Sequence, residues 1–203
     1  MDIKKSTIVK SGILFLLFLM TYFLSVSAAT TSDTKMSLQY PRVTLLGKIF
    51  ELKYSTCTPK TDVCLNEYYR LKEKDFGWTE LFTLHALKNS NNVAGYATML
   101  YNSQKYSELK FNSDKNEAVV SFLIPYEDEV LGGYYIEQNI FRVMLNPKGK
   151  GIVLLQYAIR LPFNNDEEKE KSFEKAKTIQ TKVTNSLRSM EVPVLYDKLL
   201  QRW

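Results

Sequence analysis

The chain has 203 residues, 24% of them charged, with 27 Lys and Arg against 22 Asp and Glu and a formal net charge of +5. That length is one ordinary domain with a sizeable core. The basic excess is mild and interleaved with acids, as in KEKD at 72–75 and DEEKEK at 166–171, so the basic stripe that nucleic-acid binding requires is missing.

The first residues set the compartment. Lys4, Lys5 and Lys10 precede an uncharged run, GILFLLFLMTYFLSV at 12–26, and small residues follow at 26–29. A basic start, an apolar centre and a small-residue exit describe a signal peptide over residues 1–28. The competing reading is a retained anchor, since 12–29 is barely long enough to cross a bilayer. With no cysteine near the cleavage site, lipid attachment there is excluded. The expected localisation is periplasmic or secreted. Residues 29–41 are mostly small and polar and read as a flexible leader; residues 42–203 read as a single domain.

Val43 to Tyr54 alternates as a strand, with Gly47 as a bend or bulge. Cys57 and Cys64 follow, separated by TPKTDV. An even cysteine count in an exported chain predicts a disulfide, here closing the mouth of a β-hairpin. A redox pair has two intervening residues, and a zinc site needs about four ligands; two thiols and one imidazole do not make one. Leu65 to Leu71 is the return strand, KEKDFG at 72–77 a charged turn, and Trp78 to Leu87 a third strand. On that strand Glu80, Phe82, Leu84 and Ala86 share one face, and Thr79, Leu81, Thr83, His85 and Leu87 the other.

KNSNN at 88–92 supplies capping chemistry for a helix over about 91–104. Tyr106 to Phe111 is a short strand, Ala118 to Ile124 a buried strand ending at Pro125, and Tyr134 to Leu145 a long strand after Gly132-Gly133. Asn146-Pro147-Lys148-Gly149 turns the chain into Ile152 to Leu161, which ends at Pro162. Asn164 or Asn165 caps a long helix whose apolar face is Phe173, Ala176, Ile179, Val183, Leu187 and Met190. The last residues form a short tail with a final helical turn. The expected fold class is α+β: an antiparallel sheet of six or more strands with flanking helices and a long C-terminal one.

His85 is the weak catalytic candidate, with Glu67 on the neighbouring strand as the carboxylate that approaches it. A general base needs a positioned partner and substrate, and a lone strand histidine more often bonds a neighbour. No nucleophile elbow, phosphate loop, dinucleotide fingerprint or H-E-x-x-H occurs. The acidic run Glu127, Asp128 and Glu129 reads as a solvated loop. No cofactor and no metal are expected, and an enzyme is the weaker reading.

The stretch NEYYRLKEKDFGWTELFTLHAL resembles a loose group of small exported bacterial proteins, carrying Asn-Glu-Tyr on one strand and Trp-Thr-Glu on the next. FRVML, GKGIVLLQYAIRLP and the closing helix are similar too, and the layout resembles the PsbP-like α/β/α sandwich. The matching positions here are Asn66, Glu67, Tyr68, Trp78, Thr79, Glu80, Thr83, Tyr157 and Arg160. The resemblance implies fold and compartment rather than activity, and the cysteine hairpin does not map onto it. Asn66, Glu67, Trp78, Glu80 and Arg160 are read as structural, the tryptophan buried and an Arg–Glu pair tying strands together. The expected function is a non-catalytic cell-envelope protein that binds a protein partner as an accessory or assembly factor. The alternatives are a small-ligand carrier with an aromatic pocket, or a hydrolase or transferase using His85. No nucleic acid is expected, and membrane contact only through a retained anchor.

Overall fold

Apolar residues at alternate positions in long, turn-punctuated segments leave this chain one way to bury them, a wide sheet covered on its faces. The computed structural model describes residues 41–58, 62–71, 78–128, 132–198 and 201–202. The expected signal peptide, all of the leader but residue 41, the centre of the cysteine turn, the charged turn at 72–77 and Glu129 lie outside the described residues.

The strands are β1 (Arg42–Leu45), β2 (Lys48–Thr58), β3 (Val63–Arg70) and β4 (Glu80–Leu87), then helix α1 (Val93–Asn102). Next come β5 (Tyr106–Phe111), β6 (Glu117–Glu127), β7 (Tyr134–Leu145), β8 (Ile152–Phe163), helix α2 (Asp166–Ser189) and the short β9 (Tyr196–Lys198) and β10 (Gln201–Arg202). Eight strands form one sheet in the order β1-β2-β3-β4-β8-β7-β6-β5. Each neighbouring pair is antiparallel. Two meanders therefore meet at the β4–β8 seam, and α1 carries the chain from the centre of the sheet to its β5 edge. The fold is α+β, as its periodicity predicts.

One face packs under α2. Phe50, Leu52, Tyr68, Phe82, Leu84, Leu155 and Tyr157 form its core with Ala176, Val183 and Leu187 of the helix. Each such fully buried aliphatic or aromatic side chain contributes about 1.5–3 kcal/mol. Asn165 caps α2 by accepting from the Glu168 N–H at 2.9 Å, and Glu168 reaches back to the Asn164 N–H at 2.9 Å. The C-terminal end is tied down by Arg142, which donates to the carbonyls of Leu187 at 2.8 Å and Met190 at 3.0 Å. The opposite face carries α1, whose Val93 and Ala97 pack on Val120, Phe122, Phe141, Val143 and Leu154. Asn92 caps α1 by accepting from the Gly95 N–H at 2.7 Å.

Four local expectations are corrected. Gly47 is neither bend nor bulge: with Leu46 it forms a two-residue hairpin turn, both residues at positive φ (53° and 72°), joining separate strands β1 and β2. Pro125 does not end β6, which continues to Glu127 and pairs Pro125 with Ile136. Pro162 does not end β8, which continues to Phe163 and pairs Pro162 with Tyr135. The reason is shared. Pairing of β6 with β5 stops at Leu123 and pairing of β8 with β4 at Ile159, so each proline sits where one side of its strand has no ladder partner. Finally, Tyr196–Lys198 and Gln201–Arg202 pair as a two-stranded ribbon in place of the expected helical turn.

Cys57 and Cys64 stand directly opposite each other on β2 and β3 and are joined by a disulfide. Among the described residues no helix is long and apolar enough to cross a membrane. Both facts are compatible with a secreted or periplasmic protein.

Candidate functional site

Strand alternation places Glu67 of β3, Thr83 and His85 of β4, and Gln156 of β8 on the α1 side of the sheet. Glu67 is opposite Thr83, and Thr83 is opposite Gln156. His85 is opposite Leu65, so the expected approach of Glu67 to His85 is not the pairing that forms. The row lies between two apolar covers. On one side are α1 and its cluster; on the other, Trp78 packs on Leu81 and Ala158 with Tyr69 beside them. Glu67, His85 and Gln156 are half-buried, whereas Thr83 is 2% exposed.

A directed chain of hydrogen bonds runs along this row. Asn139 Nδ2 donates to Glu137 at 3.0 Å, and Gln156 Nε2 donates to Asn139 Oδ1 at 2.7 Å. The far oxygen of Gln156 then faces His85 Nε2 at 2.8 Å. A carboxylate accepts only, which fixes the orientation of both amides. Gln156 Oε1 must therefore receive a proton, so His85 carries hydrogen on Nε2 and leaves Nδ1 as an acceptor. Burial pulls the His85 pKa below its ordinary 6.5, against the opposing effect of Gln156. The imidazole is neutral at pH 7. The Phe141 ring lies beside it, centroids 6.2 Å apart.

Glu67 is shifted the other way. Burial raises its carboxyl above the usual 4.5, opposed by the Tyr69 hydroxyl that donates to it at 3.2 Å. Thr83 Oγ1 is buried and has no hydrogen-bond partner among the described residues. The row thus sets a carboxyl whose pKa burial raises beside an imidazole whose pKa burial lowers and a buried hydroxyl with no partner among the described residues.

The other expected residues hold the structure around it. Arg160 lies flat on Trp78, its guanidinium carbon 3.7 Å from the ring centroid. It reaches Glu137 at 3.4 Å and Asp128 at 3.8 Å, so the Arg–Glu pair tying strands together is Arg160–Glu137, across β7 and β8. Glu80 is on the other face, 6% exposed, and gathers Lys48 at 2.7 Å, Arg70 at 3.2 Å and the Tyr157 hydroxyl at 2.9 Å. Asn66 is also on that face and bonds the main chain of Tyr196. Of the acidic run, Asp128 faces Arg160; among the described residues no group of three or more His, Cys, Asp or Glu is arranged to hold a metal ion. Gln156, Asn139 and Glu137 carry no motif. Their only signal in sequence is polarity inside otherwise apolar strands, the run Glu137-Gln138-Asn139 in β7 and the isolated Gln156 in β8.

A protein-family model matches residues 38–192, more than half of the chain. The chain belongs to that family, an uncharacterised one. The family region holds the whole polar row and both helices and stops short of Tyr196. The chain matches no curated protein and no solved structure.

Proposed function

We propose that this family member is an exported, non-catalytic protein of the cell envelope that acts by binding a protein partner, as an accessory or assembly factor. The observation that carries the non-catalytic part is the way His85 is held. Its Nε2 bonds the uncharged amide of Gln156, and the nearest carboxylate of the chain of hydrogen bonds, Glu137, is two amides away and engaged by Arg160. In a triad of the Ser-His-Asp type the histidine takes its orientation and charge support from a carboxylate on the ring itself, and His85 has none among the hydrogen bonds of its row. Here the ring is a neutral hydrogen-bonding group. The basic-apolar-small N-terminus and the Cys57–Cys64 disulfide support export.

We also read the sheet with α1 on one face and α2 on the other as the PsbP-like form of the sandwich; the support is this layering and the antiparallel order. Crosslinking in the native envelope tests the function: wild type and His85→Ala capture the same protein in equal amounts, whereas a catalytic His85 shows instead as a lost turnover with no partner.

A further inference from the structure

The eight-stranded sheet ends on β5, and among the described residues no strand pairs with its outer side. Such an edge presents a row of backbone N–H and C=O groups, which another extended backbone can serve. Short length, a proline, a bulge or charge usually blunts it. At the far end of the sheet β1 has four residues. By contrast β5 has six, YSELKF, with no proline and an unbroken register against β6. Its guards are Glu108 and Lys110, with side chains 58% and 70% exposed on the α2 side of the strand. The other face carries Ser107, Leu109 and Phe111, the last two packed at the margin of the α1 cluster. The end of α1 meets the same strand: Ser107 Oγ donates to the Tyr101 carbonyl at 2.7 Å, and Tyr101 is an exposed aromatic there.

We propose that β5 pairs with β5 of a second copy of this chain, antiparallel about a two-fold axis at Leu109, so that two sheets join into one. The two charges select both the occupant and the register. With Leu109 facing the partner's Leu109, Glu108 stands opposite the partner's Lys110 and Lys110 opposite the partner's Glu108. Sliding the strands by two residues brings Glu108 onto the partner's Glu108, or Lys110 onto the partner's Lys110. Like charges directly opposite each other are destabilising. Sliding by one residue sets groups that bond outwards against groups that bond inwards, and the ladder is lost. Directly opposite Cβ atoms lie about 4.5–5.5 Å apart. Same-face neighbours along one strand are roughly 6.5 Å apart, and within one chain Lys110 reaches Glu108 only at 3.6 Å. The second copy therefore offers each charge a nearer partner than its own strand does. Gln180 of α2 steadies Glu108 by donating to it at 2.9 Å. On the opposite face the partner's Leu109 and Phe111 extend the apolar rim of Leu109, Phe111 and Tyr101. The contact uses the same patch on both copies, so it closes as a dimer and leaves no β5 edge open. It is separate from the envelope-partner reading above.

Sedimentation equilibrium of the purified, oxidised protein across a concentration series tests the dimer. Wild type should approach twice the mass of one chain. Glu108→Lys and Lys110→Glu each set like charges opposite one another, and each should weaken the dimer at least about tenfold. Both positions are exposed, so the monomer's melting temperature should hold. The two single variants should pair when mixed, since one brings two cations to the edge and the other two anions. The double variant Glu108→Lys, Lys110→Glu should recover the wild-type dimer. Hydrogen exchange at Ser107–Phe111 should slow as protein concentration rises. A wild type that stays monomeric throughout, single variants that pair as tightly as wild type, or a mixture that stays monomeric overturns the proposal. So does protection of β5 that appears only when envelope extract is added, which would assign the edge to a strand of another protein.

Discussion

Asn66 holds Tyr196 by both ends of its amide: Nδ2 donates to the Tyr196 carbonyl at 2.6 Å, and Oδ1 accepts the Tyr196 N–H at 2.8 Å. The side chain thus stands in for a strand partner, joining the ribbon after α2 to the sheet across 130 residues of sequence. Asn66 is fully buried, so Asn66→Ala leaves two main-chain groups unpaired and costs about 2–3 kcal/mol. Hydrogen exchange at Tyr196 should accelerate in that variant by more than the global loss accounts for. An acceleration at Tyr196 no greater than the global loss accounts for would mean the tail is held by something else.

The disulfide closes a short loop, seven residues in sequence separation. Loop-closure entropy puts its contribution at about 2–3 kcal/mol. Urea unfolding with and without reductant should show that difference, and the double change Cys57→Ser, Cys64→Ser should match the reduced protein.

Two buried titrating groups give opposite pH signatures. The folded pKa of Glu67 lies above the unfolded value, so its carboxyl destabilises the fold as pH rises past 4.5, with the loss complete above the folded pKa. The folded pKa of His85 lies below 6.5, so stability falls as pH drops through 6.5 and the unfolded chain takes up a proton that the folded one refuses. Glu51, lowered by its bonds to Lys53 and Arg42, adds stability present above 4.5 and lost on acidification. Denaturation across a pH series should therefore show Glu67→Gln more stable than wild type at neutral pH and equal to it below 4.5. A constant offset at all pH values would contradict the assignment.

Gly151 has φ of 90°, and a Cβ there would run into the main chain of Leu87 and Lys88. Both the backbone conformation and the space exclude a side chain. Gly151→Ala should lose at least about 2 kcal/mol, since a strained φ alone costs of order 1–3 kcal/mol. Gly47, with open space around it and φ of 72°, should tolerate alanine better. Comparing the two midpoints in urea checks it.

Arg160→Ala removes the cover of Trp78 and leaves Glu137 without its cation. The expected loss is at least about 2 kcal/mol, roughly 4–8 °C in melting temperature for a chain of this size. Arg160→Lys should recover little of it, because an ammonium does not stack as a planar guanidinium does. An unchanged melting curve for Arg160→Ala would remove the cluster from the account.

Much of this fold is written in patterns that a single chain exposes. Alternation marked β4 and its two faces residue by residue, and the polar runs KNSNN and Asn164-Asn165 marked both helix starts to within a residue or two, the caps themselves falling at Asn92 and Asn165. What it hid was context. Pro125 and Pro162 look like strand stops until the strand order places each beside an unpaired edge. Leu46 gave no hint of a hairpin turn because leucine is an uncommon residue at positive φ. The polar row was hidden for the same reason: Gln156 and Asn139 become partners of His85 only when β8 inserts between β4 and β7. His85 drew attention as a lone histidine, and its partner is an amide 71 residues away.

The central claim is that the protein works by engaging a partner in the cell envelope. The most direct measurement is crosslinking of the tagged, full-length protein in its native envelope, followed by mass spectrometry and by stoichiometry of the purified complex. The account predicts one envelope protein captured in a fixed ratio, by wild type and by His85→Ala alike, and an N-terminus beginning after residue 28. A partnerless monomer, or full-length chain with reduced cysteines, would contradict it.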